Sequence, residues 1–405
     1  MVNDQVIVQL QSTIERFIGW LDHYGELSYD FQTFYASPVG QGAKTLYYKN
    51  RLLGTMAVAP IIFCEAFVPS ARRLFWKPQR FPIADAHYAM GFAALSQVLG
   101  ETQHYQRAVH FLEVLEATKC PAQQHYAWGY PFDWVGIGGT IYEGTPLITT
   151  EPYVYEAFSD VYRIDKNEKW RRIMHSLAQH ASEDYFDTET SARASRSSYT
   201  PAVESSGGVV NASAYRAFLL TKAALDFSEE KYRRQAERNM YFVIESQNPD
   251  GSWYYAMDGT RSFIDHFHTC FVMKALAKIE RLTGNSDCTA AIERGVRYYV
   301  NHLFDEQGLP RPFSKAPRLT VYQRELYDYA ECINLATLLR GRFSLLDQRL
   351  DMVLNDILTR WQRSDGSFRS RQLLLGWDDV PMHRWAQAQL FRSLCLLLRQ
   401  HTNRV

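Results

Sequence analysis

One helical face recurs along this chain. Glu151–Tyr155–Phe158, Asn211–Tyr215–Phe218 and Ile264–His268–Phe271 each sit at i, i+4 and i+7, one side of an α-helix. Each opens the first member of a helical pair, and the first members follow one another at roughly 55–65 residues. The pairs are read at 85–99 with 104–117, 151–162 with 169–185, 211–225 with 229–246, 265–283 with 287–303, and 323–341 with 345–361. A last helix at 382–401 has no partner after it, and the amphipathic helix at 2–23 can supply one. A unit that cannot bury its apolar face alone stacks on its neighbours. The chain therefore predicts one all-α domain over 1–405, an (α/α)6 toroid in which about six helix pairs close into a ring. Residues 81–405 form the repeats, and 1–80 form an N-terminal helix with an aromatic and hydrophobic extension.

Within that extension, YDFQTFYASPVGQGAKTLYYKNRLLG reads as loop. The most hydrophobic stretch, 52–68, is interrupted by Gly54, Pro60 and Glu65, and Arg72, Arg73, Lys77 and Arg80 follow it beside Phe75 and Trp76. It reads either as a buried helix with a basic exit or, over 52–80, as a peripheral membrane contact. No run of about 18 apolar residues predicts a spanning helix. The start, MVNDQVIVQLQSTIERF, lacks the pattern of a signal sequence. Six scattered cysteines without a CxxC pair predict reduced thiols in a cytoplasmic protein, membrane-associated if 52–80 meets lipid. With 44 basic and 44 acidic residues, the chain lacks the cationic surplus of a general nucleic-acid binder, so no nucleic-acid partner is expected.

The connections entering the first helices are long, at 118–150, 187–210, 247–264, 305–322 and 362–381, whereas the turns within pairs are short. Long aromatic loops gathered at one rim predict the binding site there. The Ser-rich stretch SARASRSSYTPAVESSGG predicts a mobile flap.

SQNPDGSW at 246–253 resembles the glutamine–tryptophan repeat of terpenoid cyclases, and QRSDGSF at 362–368 is a second copy with Phe for Trp. That resemblance implies the toroid shared with protein prenyltransferase β-subunits, with a site in the central cavity. DHFHTCFVMKAL is similar to the prenyltransferase segment that supplies a zinc-binding histidine, which His268 would match. The Asp-x-Cys partner of that site is missing, since the preceding inner helix reads GGVVNASAY. The acid motif of class II cyclases is also incomplete, at Gly376-Trp377-Asp378-Asp379. HYAWGYPFDW, GTPLITTEPYVYEAF and MHRWAQAQLF resemble an uncharacterised toroid family found beside surface-polysaccharide biosynthesis genes. This second resemblance implies a saccharide context, with a lipid-linked glycan as one form of substrate.

If the N-terminal turns of the inner helices face the cavity, their polar residues become candidates. His268, flanked by Asp265, is placed to act as acid or base near neutral pH. Tyr215 or Tyr255 would be the proton donor, and Glu156 and Asp265 are candidate carboxyl groups. His87, Tyr155, Asn211, Arg324, Tyr327, Asp328, Arg384 and Trp385 would bind substrate from the helices. Trp128, Tyr130, Asp133, Trp253, Tyr254 and Trp377 would bind it from the loops. Aromatic platforms among arginines and carboxylates suit a sugar chain. Asp85, Glu151, Asn211 and Asp265 equally suit N-caps or first-turn acids. His266 and His268 at i, i+2 point to different sides of a helix, so no metal is assigned, and no cofactor motif is present.

The predicted function is therefore a carbohydrate-active enzyme of surface polysaccharide synthesis. It would act on a uronate-containing oligo- or polysaccharide by lyase or C5-epimerase chemistry, with His268 as base and Arg324, Arg384 or Asn211 meeting the carboxylate. Glycoside hydrolysis, isoprenoid chemistry and non-catalytic glycan binding are the alternatives.

Overall fold

The computed structural model describes residues 4–202 and 207–402. The Val2 end of the first helix and residues 203–206 of the Ser-rich stretch lie outside them. Helix α1 (Asp4–Tyr24) leads into a helical extension, α2 (Thr33–Ala36), α3 (Pro38–Lys49), α4 (Arg51–Phe67) and α5 (Arg72–Phe75). Five pairs follow: α6 (Pro82–Leu99) with α7 (Thr102–Ala117), α8 (Glu151–Asp165) with α9 (Glu168–Glu183), and α10 (Val210–Phe227) with α11 (Glu230–Glu245). Then come α12 (His266–Thr283) with α13 (Ser286–His302), α14 (Leu326–Leu338) with α15 (Ser344–Asp356), and finally α16 (Ala388–Thr402).

The even-numbered helices from α6 to α16 form the inner wall, each packing on the next, and α16 returns to α6 to close the ring. Their sequences explain the placement. Helix α6 buries every residue from Pro82 to Leu95. A helix apolar all round must be enclosed. Helix α9 instead buries one stripe, Trp170, Ile173, Met174, Leu177, Ala178 and Ala181, with His180 and Ser182 at its end, and leaves Glu168, Arg172 and Glu183 exposed.

The Gln-to-aromatic repeats work as ring staples. The Gln247 amide donates to the carbonyls of Gly251 (3.0 Å) and Ala291 (2.9 Å), tying the end of α11 to α13. The Gln362 amide donates to those of Gly366 (3.1 Å) and Thr13 (2.9 Å), tying the segment after α15 to α1. Gly251 and Gly366 have φ of +93° and +95°, and a Cβ on either would strike the backbone of Arg294 or Arg16. One motif thus joins consecutive outer helices twice, which places α1 as the sixth outer helix of the ring.

Two loop expectations are corrected. The stretch read as loop around 33–49 is helical, because Ser37 accepts from the Gly40 amide and Pro38 begins α3. The Ser-rich stretch is packed rather than a mobile flap over its described part. After the hairpin of β1 (Trp134–Gly136) and β2 (Gly139–Ile141) in the preceding long loop, strand β3 (Asp187–Glu189) pairs with β4 (Ser195–Ser197), and Ser195, Ser197 and Ser198 are buried. Short strands also sit in the other loops, including β5 (Ile264–Asp265) before α12, β6 (Phe313–Lys315), and the three-stranded sheet β7 (Tyr322–Glu325), β8 (Arg371–Leu373) and β9 (Trp377–Asp378).

Candidate active site

The N-termini of the inner helices gather at the mouth that carries the long loops. At α12, Asp265 is the N-cap and accepts from the His268 amide at 2.8 Å. Its other oxygen lies 2.6 Å from His268 Nδ1. A carboxylate only accepts, so Nδ1 carries the proton and Nε2 presents its lone pair when the ring is neutral. The loop before α12 folds Tyr255 onto Phe263 (4.6 Å between rings), and Tyr255 meets His268 edge-on at 4.7 Å.

The aromatic wall continues across two more inner helices. Phe267 packs against Tyr327 (5.3 Å) and Trp385 (5.2 Å), and Tyr327 stacks on Trp385 at 4.2 Å. Trp385 reaches this position because residues 383–387 form a π-helical turn, with Trp385 and Ala386 outside helical φ/ψ. Such turns re-aim side chains and are frequent at functional sites. Arg384 is buried, with a bidentate contact to Asp30 (2.6 and 2.9 Å) and the Tyr130 hydroxyl at 3.3 Å.

Asp328, in the first turn of α14, is the most unusual group at this mouth. It is 1% exposed, and neither carboxylate oxygen has a partner. Burial pushes its pKa well above the ordinary carboxylate range, and the charges of Glu325 and Asp265 push the same way. A carboxyl kept neutral in this way is a proton donor. Burial also raises Tyr255, to about 12, and raises Tyr130, Tyr199 and Tyr327. Asn211 lines the space beside His268, and its Oδ1 is buried without a partner. That space is about 10 Å³, roughly room for one water, so a sugar ring enters only if the 253–263 loop moves.

Several predicted site residues lie elsewhere. Trp128 is fully buried and donates to the Leu115 carbonyl as a core peg under an outer helix, whereas Trp253 donates in the same way to that of Val243 but also lines the space beside His268. The Tyr155 hydroxyl donates to Asp226 at 2.8 Å, between helices. Asp133 accepts from the Glu143 amide within its loop, and Trp377 is held between Trp361 and the Arg369 guanidinium. Arg324 pairs with Asp305 and Gln372 rather than facing the mouth. Tyr254 stays at the rim, where Lys315 lies 4.7 Å from its ring. His266 turns outward to the Tyr299 hydroxyl at 2.6 Å, and burial lowers its pKa to about 3. Sequence reasoning missed Asp30, which holds Arg384, Phe31, whose ring lies 4.4 Å from Trp385, and Tyr199, whose ring lies 6.1 Å from Trp134. Of the four candidate caps, Asp265 alone accepts a cap hydrogen bond; Asp85 pairs with Arg80 at 3.0 Å, and Glu151 accepts from the Trp128 amide at 2.9 Å.

Below the mouth, a polar layer blocks the axis. The Tyr215 and Tyr153 hydroxyls are 2.6 Å apart, and His87 packs on Tyr153 at 4.5 Å. Glu156 belongs beneath this layer, with Lys278 Nζ at 2.6 Å and Arg392 at 3.4 Å. It lines a cavity of about 630 Å³ at the opposite mouth, together with Arg163, Lys222, Arg281 and Arg399. Those cations complement the C-termini of the inner helices, each worth about −0.5 charge. Arg163 and Lys222 also pair with Asp160 and Asp226. Among the described residues no group of three or more His, Cys, Asp or Glu side chains is disposed to hold a metal ion.

No family model and no curated protein matches the chain. Its fold is similar to that of cellobiose 2-epimerase from Bacillus thermoamylovorans B4167, with TM-score 0.61, 12% identity, and coverage of 80% of this chain and 88% of that one. It is similar to D-mannose isomerase at TM-score 0.60, 12% identity, and coverage of 80% and 88%. It also matches unsaturated glucuronyl hydrolase from Bacillus sp. GL1 at TM-score 0.57, 13% identity, and coverage of 77% and 85%. Likeness at these identities establishes the (α/α)6 toroid alone.

Proposed function

We propose that the protein is a carbohydrate-active enzyme that transfers protons at a sugar carbon, with His268 as base and Asp328 as proton donor. The observation that carries this reading is the Asp265–His268 pair, which holds one ring nitrogen and leaves the other for the aromatic mouth. Abstraction of a proton beside a carbonyl needs a positioned base and an acid for the oxygen that gains charge. Epimerisation or isomerisation of a sugar uses both. The names of the epimerase and the isomerase with this fold support that class. The uronate form of the reaction, C5 epimerisation or lyase cleavage, also needs a cation for the substrate carboxylate. Arg384 supplies one only by releasing Asp30, and the unpartnered Oδ1 of Asn211 accepts rather than donates.

Glycoside hydrolysis is the second reading, favoured by the raised pKa of Asp328, as a general acid requires. Incubation with neutral and uronate saccharides in heavy water separates the two. Deuterium entering a ring carbon, lost in His268→Ala, supports proton transfer at carbon. New reducing ends without deuterium in the ring would favour hydrolysis.

A further inference from the structure

The extension presents a face that the toroid leaves uncovered. Helices α3 and α4 share a small core of Phe34, Ala43, Val58 and Ile61. The opposite side of α4 shows Leu52, Met56, Phe63 and Phe67 to solvent, with Leu74 of α5 beyond them. Leu74 is 89% exposed, Leu52 75% and Met56 68%. Folded monomers seldom leave so many large apolar side chains adjacent and wet. Charge is equally one-sided. Residues 38–80 hold seven Lys or Arg and one acid, Glu65, in a chain whose charges balance. Glu65 is paired with Arg371 at 2.8 Å. Lys49 and Arg51 at one end of the face and Arg73 and Lys77 at the other are all exposed.

We infer that this arm docks onto an anionic lipid surface, with α4 lying in the interface. No single described helix is long and apolar enough to cross a membrane, and the chain bends by 117° between Arg51–Phe67 and Pro69–Phe75. An apolar face bracketed by cations is the form that settles at the headgroup boundary. A second copy of the chain is a poorer cover, because a two-fold contact brings like cationic rims together. The root of the arm is fixed to the loop mouth. Arg72 meets Asp378 at 2.6 Å, and Phe31 packs against Trp385 at 4.4 Å. A docked arm therefore holds that mouth beside the bilayer, where a saccharide carried on a lipid is within reach. The docking rests on the arm alone and not on the proposed chemistry.

Co-sedimentation of the full chain with vesicles of phosphatidylcholine, with and without phosphatidylglycerol, tests it. The wild type should pellet with the anionic vesicles and be released by salt. The triple variant Leu52→Glu, Met56→Glu, Phe63→Glu should stay in the supernatant with an unchanged circular-dichroism spectrum. The triple Arg51→Glu, Arg73→Glu, Lys77→Glu should lose about tenfold or more in partitioning. Protein that stays soluble with every vesicle overturns the inference. A wild-type dimer that the apolar variant turns into a monomer, without vesicle binding, overturns it in favour of a second copy.

Discussion

The two mouths of the toroid are built from the same six inner helices and carry opposite chemistry. At the loop mouth, helix N-termini meet Asp265, Asp328 and Glu325 among aromatic rings. At the other mouth, helix C-termini meet Arg163, Arg281 and Arg399. The sign at each end follows the helix dipole, so charge alone marks neither as a site. What separates them is what stays unmatched. Glu156 is satisfied at the wide basic mouth by Lys278 and Arg392, whereas the loop mouth keeps an unpartnered carboxyl and an oriented histidine in a narrow space. The larger cavity is thus the one whose carboxylate is matched.

Substitutions can break this contrast. His268→Ala should lower turnover by about 10²–10⁴-fold while moving unfolding free energy by about 1 kcal/mol or less, seen by steady-state kinetics beside a denaturant titration. Asp328→Asn should lower turnover by roughly 10²-fold or more yet raise stability at neutral pH. The sign follows from its raised pKa. The native state keeps a proton that the unfolded chain releases, so wild-type stability is full at low pH and declines as pH rises toward the native pKa. The variant should lack that decline. At the basic mouth, Lys278→Met leaves Glu156 with Arg392 alone and should cost about 2–4 kcal/mol in a urea titration, with turnover per folded molecule unchanged. An equal loss of turnover there would erase the contrast.

Smaller effects sharpen the picture. Gln362→Ala removes the staple to α1 and should cost about 1–3 kcal/mol; Gln247→Ala should cost a similar amount in the same assay. Asp85 is pushed up to about 7 by burial against the pull of Arg80. An unfolded Asp ionises near pH 4, so its contribution is full below about 4 and lost as pH rises to about 7. Asp85→Asn should flatten that slope in melts taken across the window.

Much of the ring was readable because period and register are local. The spacing of Ile264, His268 and Phe271 carried both the helix and the Asp265–His268 pair. Glu156 misled because sequence distance from the start of α8 does not say which way a side chain turns, and its carboxylate is held by Lys278 and Arg392 at the opposite mouth. Trp128 and Trp253 looked like sugar platforms, yet each indole N–H finds a backbone carbonyl beneath an outer helix. Asp30 and Phe31 come from a stretch without periodicity, and Asp30 meets Arg384 across 354 positions of chain. No local pattern encodes such a contact.

The proposed chemistry of the loop mouth is proton transfer at a sugar carbon through His268. Mass spectrometry of saccharides incubated with the protein in heavy water tests it most directly. Deuterium should appear at a ring carbon with the wild type and with Lys278→Met, and not with His268→Ala. Deuterium uptake that survives His268→Ala would contradict it.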